Sequence, residues 1–253
     1  MREHEFPYKA LPLNLGHRGA PKVAPENTLA SFELARSVGA DGVELDVQLS
    51  ADGGLVVMHD SRVERTTNGQ GALKALTMAQ IKELDAGVAF APKYTGERVP
   101  SLSEVLDWAG QTMLLNIELK SMSMRGDGLE AKVIALVRQC GLQGRVILSS
   151  FNPWSLVRAR QTAPEISRGL LYSPGLPLPL RRAWLRPMAG PNALHPHWTM
   201  VNDPYLNWAR KKGYRVNVWT ADEPHDLQHL IDLRVDTIIT NRPDRLAALL
   251  MRP

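Results

Sequence analysis

Short apolar runs alternate along the chain with longer segments in which apolar residues recur every three or four positions. The runs begin near Leu13, Val43, Met113, Val146, Gly169, Ala193, Arg215 and Thr237, and helical spacing follows each of them. Leu129, Val133, Leu136, Val137 and Cys140 trace one helical stripe, and Leu227, Leu230 and Ile231 trace another. Local chemistry marks several helix starts. Asn27 or Thr28 can cap a helix carrying Leu29, Phe32 and Ala35, while Thr77 with Gln80 and Ser101 with Glu104 have the capping-box pattern.

Strand–helix alternation of this kind predicts a parallel sheet, and eight units predict a closed (β/α)8 TIM barrel of the α/β class. An open doubly wound sheet would carry a Gly-rich dinucleotide fingerprint after its first strand, and this chain has none. Residues 60–100 break the rhythm with Gly, Thr and Lys. They read as a small insertion after the second strand, so residues 1–253 are expected to form a single barrel domain.

Composition narrows the function classes. At 253 residues, 44% hydrophobic and 22% charged, the chain can bury a large core and is not disordered. A net charge of +4 without an extended basic run gives no nucleic-acid footprint and suits an anionic small substrate. The single cysteine, Cys140, excludes an internal disulfide and falls on an apolar stripe, where a small buried hydrophobe is expected. No apolar run reaches membrane-spanning length, and Met1–Pro12 has no apolar core of a signal peptide. A cytoplasmic enzyme is the expectation.

The chemistry concentrates at predicted strand ends, where a (β/α)8 barrel keeps its active site. In Val43–Val47 the side chains of Glu44 and Asp46 share one face. Like charges are not placed together without a cation to separate them. The turn Asp52-Gly53-Gly54 then sends the chain back towards them with His59. Glu118 ends another strand and completes an all-oxygen set, the preference of a hard divalent cation such as Mg²⁺ or Ca²⁺. His17 and His59 are the acid–base candidates, and Arg18 and Lys120 can hold a phosphate. A cation, two histidines and two basic side chains together fit phosphodiester cleavage. Trp219, Phe151 and His195 sit at other strand ends and are expected to line the rim.

Gly16-His17-Arg18-Gly19 with Ala24-Pro25-Glu26-Asn27-Thr28, Glu44-Leu45-Asp46, His59-Asp60 and Asn116-Ile117-Glu118-Leu119-Lys120 resemble the motif series of the glycerophosphodiester phosphodiesterase family. Glu64-Arg65-Thr66-Thr67-Asn68-Gly69 is similar to the start of that family's insertion, and the likeness extends through Leu148–Phe151 and Val216–Thr220. The soluble bacterial cytoplasmic branch is the nearest in kind. The resemblance implies His17 and His59 as general acid and base, and Glu44, Asp46 and Glu118 as metal ligands. It also implies phosphate contacts from Arg18 and Lys120, and a glycerol wall at Trp219. The implied reaction is hydrolysis of a glycerophosphodiester, such as glycerophosphocholine or glycerophosphoethanolamine, to sn-glycerol 3-phosphate and an alcohol.

Two departures accompany the likeness. Asn241 follows Thr240 where an aspartate is commoner in the family. Ser173–Pro191 is rich in proline and leucine and carries Trp184, Arg181, Arg182 and Arg186. It reads as a stiff surface connection, with peripheral lipid contact and lysophospholipase D-like activity as the alternative. A non-catalytic glycerophosphodiester-binding barrel is a further alternative, although no key position is missing.

Overall fold

The computed structural model describes residues 6–8 and 11–251. Most of the expectation for Met1–Pro12 therefore lies outside the described residues. The elements, in order, are β1 (Leu13–His17), α1 (Leu29–Ser37), β2 (Gly42–Leu49), β3 (Leu55–Val57), α2 (Met78–Lys82), α3 (Leu102–Ala109) and β4 (Leu114–Leu119). The second half holds α4 (Leu129–Gln139), β5 (Val146–Ser150), α5 (Pro153–Thr162), β6 (Ser167–Tyr172), α6 (Leu178–Arg181), α7 (Arg186–Ala189) and β7 (Ala193–Pro196). It closes with α8 (Asp203–Lys211), β8 (Arg215–Val218), α9 (Pro224–Asp232), β9 (Thr237–Thr240) and α10 (Pro243–Leu249).

Eight parallel strands run in the order β1-β9-β8-β7-β6-β5-β4-β2, and pairing of β1 with β2 closes them into a barrel. The ninth strand, β3, pairs antiparallel with β2, Val47 opposite Val57, and so turns the chain back over the barrel mouth. This is the returning arm that the turn Asp52-Gly53-Gly54 predicts, and it lies outside the eight barrel strands. The expected capping boxes form at Thr77–Gln80 and Ser101–Glu104, and Thr28 caps α1 by accepting from the Ser31 N–H. Each such cap contributes about 1 kcal/mol.

Two apolar clusters lie between sheet and helices. One joins β2 and β4 to α1, α3 and α4; the other joins β8 and β9 to α8–α10. A third fills the barrel axis at the starts of the strands, where Leu13, Leu114 and Ala193 pack with Phe6 from the N-terminal segment. This floor leaves the opposite end open. Residues 60–100 carry α2 and their own small cluster around Val63, Leu73 and Ile81. Cys140 departs from expectation: it closes α4 half-buried, packed against the core edge rather than within it. Among the described residues, no helix is long and apolar enough to cross a membrane.

Candidate active site

Strand register assembles the site before any side chain is considered. His17 pairs with Glu44, Glu44 with Asn116, and Asp46 with Glu118, so residues distant in sequence meet on adjacent inward-facing layers. At the end of β1 the chain turns sharply. Arg18 takes a left-handed φ of 52° and Gly19 one of 91°. A Cβ on Gly19 would come within 2.4 Å of the Ser31 hydroxyl, so only glycine fits. The bend turns Arg18 over the acidic strand, where its Nε lies 3.2 Å from Asp46 and its Nη1 3.0 Å from Glu26.

Glu44, Asp46 and Glu118 are all buried, and one carboxylate oxygen of each lies within 4.8 Å of the others. Burial and the charges of Asp46 and Glu118 push the Glu44 carboxyl well above its ordinary value. Burial, against the pull of Lys120 and with the push of Asp46, raises Glu118 to about 7. Asp46 goes the other way. Burial opposes ionisation, but Lys120 and Arg18 outweigh it and hold this carboxyl at about 2. Lys120 reaches both Asp46, at 3.0 Å, and Glu118, at 2.8 Å. Lys120 and Arg18 thus favour the charged form of Asp46, while burial pushes Glu44 and Glu118 towards their neutral forms. Three converging hard oxygen donors, which carry three charges against two neighbouring cations once all are ionised, fit a divalent cation.

The histidines face the same cavity from opposite sides. His17, from β1, has its Nε2 3.8 Å from Glu44 and its Nδ1 2.7 Å from Asn241 Oδ1. Burial, reinforced by the neighbouring Arg18 charge, lowers its ring to about 4, so it is neutral at pH 7. His59 arrives beyond β3, with Nδ1 2.6 Å from Asp60. Asp60 in turn accepts from Arg65, which binds Glu26 through both terminal nitrogens at 2.8 and 2.7 Å. Gln48 donates to the carbonyls of Met58, His59 and Asp60 and fixes the returning arm.

These groups surround a cavity of about 180 Å³ lined by His17, Arg18, Glu44, His59, Glu118 and Lys120. Phe151 and Trp219 close its side with ring centroids 5.4 Å apart, edge to face. A wider basin of about 760 Å³ opens beside it, sharing His59, Glu118, Lys120 and Phe151 and bounded by Met122 and Leu176. Nine of the ten expected site residues therefore converge.

His195 is the correction. Its ring is fully buried inside the barrel, with Nε2 2.9 Å from Asn217 Nδ2, because β7 turns it below the rim layer. Only its backbone carbonyl serves the site, accepting from the Trp219 indole at 2.8 Å. Residues missed by sequence reasoning are Asn27, which donates to Asp46 at 2.9 Å, and the supports Glu26, Arg65 and Asp222. Glu26, Asn27 and Arg65 stand inside the family-like motifs but are given no site role by the sequence; Asp222 has no such signal.

The chain is similar to known proteins along most of its length. Residues 17–245 match the model of the glycerophosphoryl diester phosphodiesterase family. A glycerophosphodiester phosphodiesterase of Caldanaerobacter subterraneus subsp. tengcongensis is 43% identical over 95% of this chain and 98% of its own. An Oleispira antarctica phosphodiesterase, solved in complex with the product sn-glycerol-3-phosphate, is 32% identical. It superposes with a TM-score of 0.82 over 95% of this chain and 97% of that one. A glycerophosphodiester phosphodiesterase from Agrobacterium tumefaciens is 33% identical with a TM-score of 0.81, covering 92% of this chain and 98% of its own. The chain belongs to the glycerophosphoryl diester phosphodiesterase family, a family of hydrolases.

Proposed function

We propose that the chain hydrolyses glycerophosphodiesters such as glycerophosphocholine to sn-glycerol 3-phosphate and an alcohol. The supporting observation is the meeting of a three-carboxylate cluster, two histidines and two cations around one cavity. Glu44, Asp46 and Glu118 would hold a divalent cation, which when bound supplies Lewis-acid stabilisation of the phosphoryl charge. Arg18 and Lys120 orient the phosphate from the flanks. Trp219 and Phe151 wall the glycerol side.

His17 takes the proton of the attacking hydroxyl, whether water or the glycerol 2-hydroxyl, through Nε2. His59 gives a proton to the departing alcohol, whose oxygen leaves as phosphorus forms its new bond. The position of His59 supports that role. It stands where the cavity meets the wide basin, the space into which a leaving group of any head-group size would extend. Asp60, 2.6 Å from the His59 Nδ1, orients the ring.

Leaving-group chemistry separates the two roles. His59→Ala should lose activity on glycerophosphocholine but keep most of it on glycerophospho-p-nitrophenol, whose phenolate departs without a proton. His17→Ala should lose both. Equal losses of both variants on both substrates would refute the assignment.

A second reading is lysophospholipase D-like turnover of lysolipids with peripheral lipid contact. Met122 bounds the wide basin and is exposed, as are Met124, Leu178 and Trp184, and the segment holding Leu178 and Trp184 carries Arg181 and Arg182. Vesicle binding and lysolipid turnover that survive replacement of Leu178 and Trp184 by serine would sink that reading.

A further inference from the structure

Asn241 stands where the motif series favours an aspartate, and its surroundings give the amide a task. Its Oδ1 lies 2.7 Å from His17 Nδ1. Its side-chain nitrogen lies 2.8 Å from Asp222 Oδ2. Its backbone N–H donates to Asp222 Oδ1 at 2.8 Å, and the Thr240 hydroxyl donates to that same oxygen at 3.1 Å. Arg245 anchors this turn by donating to the Asp222 carbonyl at 3.1 Å.

Donor and acceptor capacity then fixes every proton in the chain. An ionised carboxylate only accepts, so the Asn241 amide must turn its NH2 towards Asp222. Rotating the amide by half a turn would set its carbonyl oxygen against the carboxylate. With the NH2 so placed, the carbonyl oxygen faces His17, and it too can only accept. The His17 Nδ1 must therefore carry the hydrogen. In a neutral imidazole the lone pair is then on Nε2, the atom 3.8 Å from Glu44 on the cavity side.

We infer that Asn241, oriented by Asp222, is a positioning residue that locks His17 in the Nδ1–H tautomer with its Nε2 lone pair aimed into the cavity. The kinetic consequence rests on the proton-transfer roles proposed above; the tautomer does not. His59 is built differently, since its Nδ1 faces the carboxylate of Asp60 rather than an amide. The two rings point the same kind of atom inward but have supports of opposite character. A neutral amide dipole orients His17, while a carboxylate orients His59.

The test uses full-length protein labelled with ¹⁵N at histidine, with long-range ¹H–¹⁵N spectra to report which ring nitrogen is protonated. Wild type should show His17 with the hydrogen on Nδ1. Asp222→Asn frees the Asn241 amide to turn, so His17 should become a mixture of tautomers. Its kcat should then fall about ten- to a hundredfold while KM changes less than about threefold. The exchange variant Asp222→Asn with Asn241→Asp keeps every donor and acceptor in the chain with the two groups swapped. It should restore the single tautomer and recover most of the lost kcat. Thermal melting checks that each variant is folded.

His17 protonated on Nε2 in the wild type would overturn the inference. So would an Asp222→Asn variant with an unchanged tautomer and kcat, or an exchange variant that fails to restore the tautomer. A wild type with the Nδ1–H form but no turnover of any glycerophosphodiester would instead refute the proposed function and leave the tautomer standing.

Discussion

His195 should make this fold measurably sensitive to acid. Its ring has no exposed surface, its Nε2 lies 2.9 Å from the Asn217 amide, and Nδ1 finds no hydrogen-bond partner. Gly169 leaves room for it, since a Cβ there would come within 2.2 Å of Nε2. Burial alone lowers the ring from 6.5 to about 3. A folded-state value below the unfolded one means that the unfolded chain binds the extra proton. The contribution is therefore whole above pH 6.5 and is lost progressively as pH falls towards 3.

Each pH unit in that window costs about 1.4 kcal/mol, so roughly 2 kcal/mol is gone at pH 5 and about 5 kcal/mol at pH 3. That is a large share of the 5–15 kcal/mol typical of a folded domain. Urea unfolding followed by tryptophan fluorescence at pH 7.5, 6.5, 5.5 and 4.5 measures it. His195→Asn removes the titrating group, and the comparison is of slopes, so a constant loss of packing in the variant cancels. Below pH 6.5 the wild-type stability should fall more steeply than the variant's by about 1.4 kcal/mol per unit. Parallel lines would refute the reasoning.

Three further outcomes follow from the site. Glu118→Gln removes one of three charged ligands and should weaken Mg²⁺ or Ca²⁺ binding more than about tenfold by calorimetry, with activity falling in step. Gly19→Ala must place a methyl against Ser31 at a φ of 91° and should cost about 2–4 kcal/mol, a fall of roughly 5–15 °C in melting temperature. Lys120→Met should raise KM for glycerophosphocholine and lower kcat, because it removes a phosphate contact and leaves Asp46 one cation short; unchanged kinetics would show that Lys120 only stabilises the acidic cluster.

What could be read from the sequence follows a physical rule. Glu44, Asp46 and Glu118 were legible because carboxylates inside strands buried on both faces contradict the surrounding hydrophobic pattern. His17 and Arg18 were legible because they end a buried strand and are followed by a glycine. The supporting partners were not, because their meaning lies in the closure of the barrel. Asp222 acts on Asn241 from the preceding strand–helix turn, and Asn241 acts on His17 across the seam between β9 and β1. His195 misled for a related reason. Alternation fixes that its side chain points inward, but which inward layer it joins depends on the stagger of β7 against β8, and that places it with Asn217 below the rim. The arm β3 is three residues long, too short to show a period.

The central claim is that a cation-loaded carboxylate cluster and two histidines cleave a glycerophosphodiester. The direct measurement is sn-glycerol 3-phosphate released from glycerophosphocholine by the purified chain, with Mg²⁺ or Ca²⁺ and again after EDTA. The account predicts product with metal, loss of product on chelation, and recovery on adding the cation back. No product with either metal would contradict the activity; product indifferent to EDTA would contradict the role given to Glu44, Asp46 and Glu118.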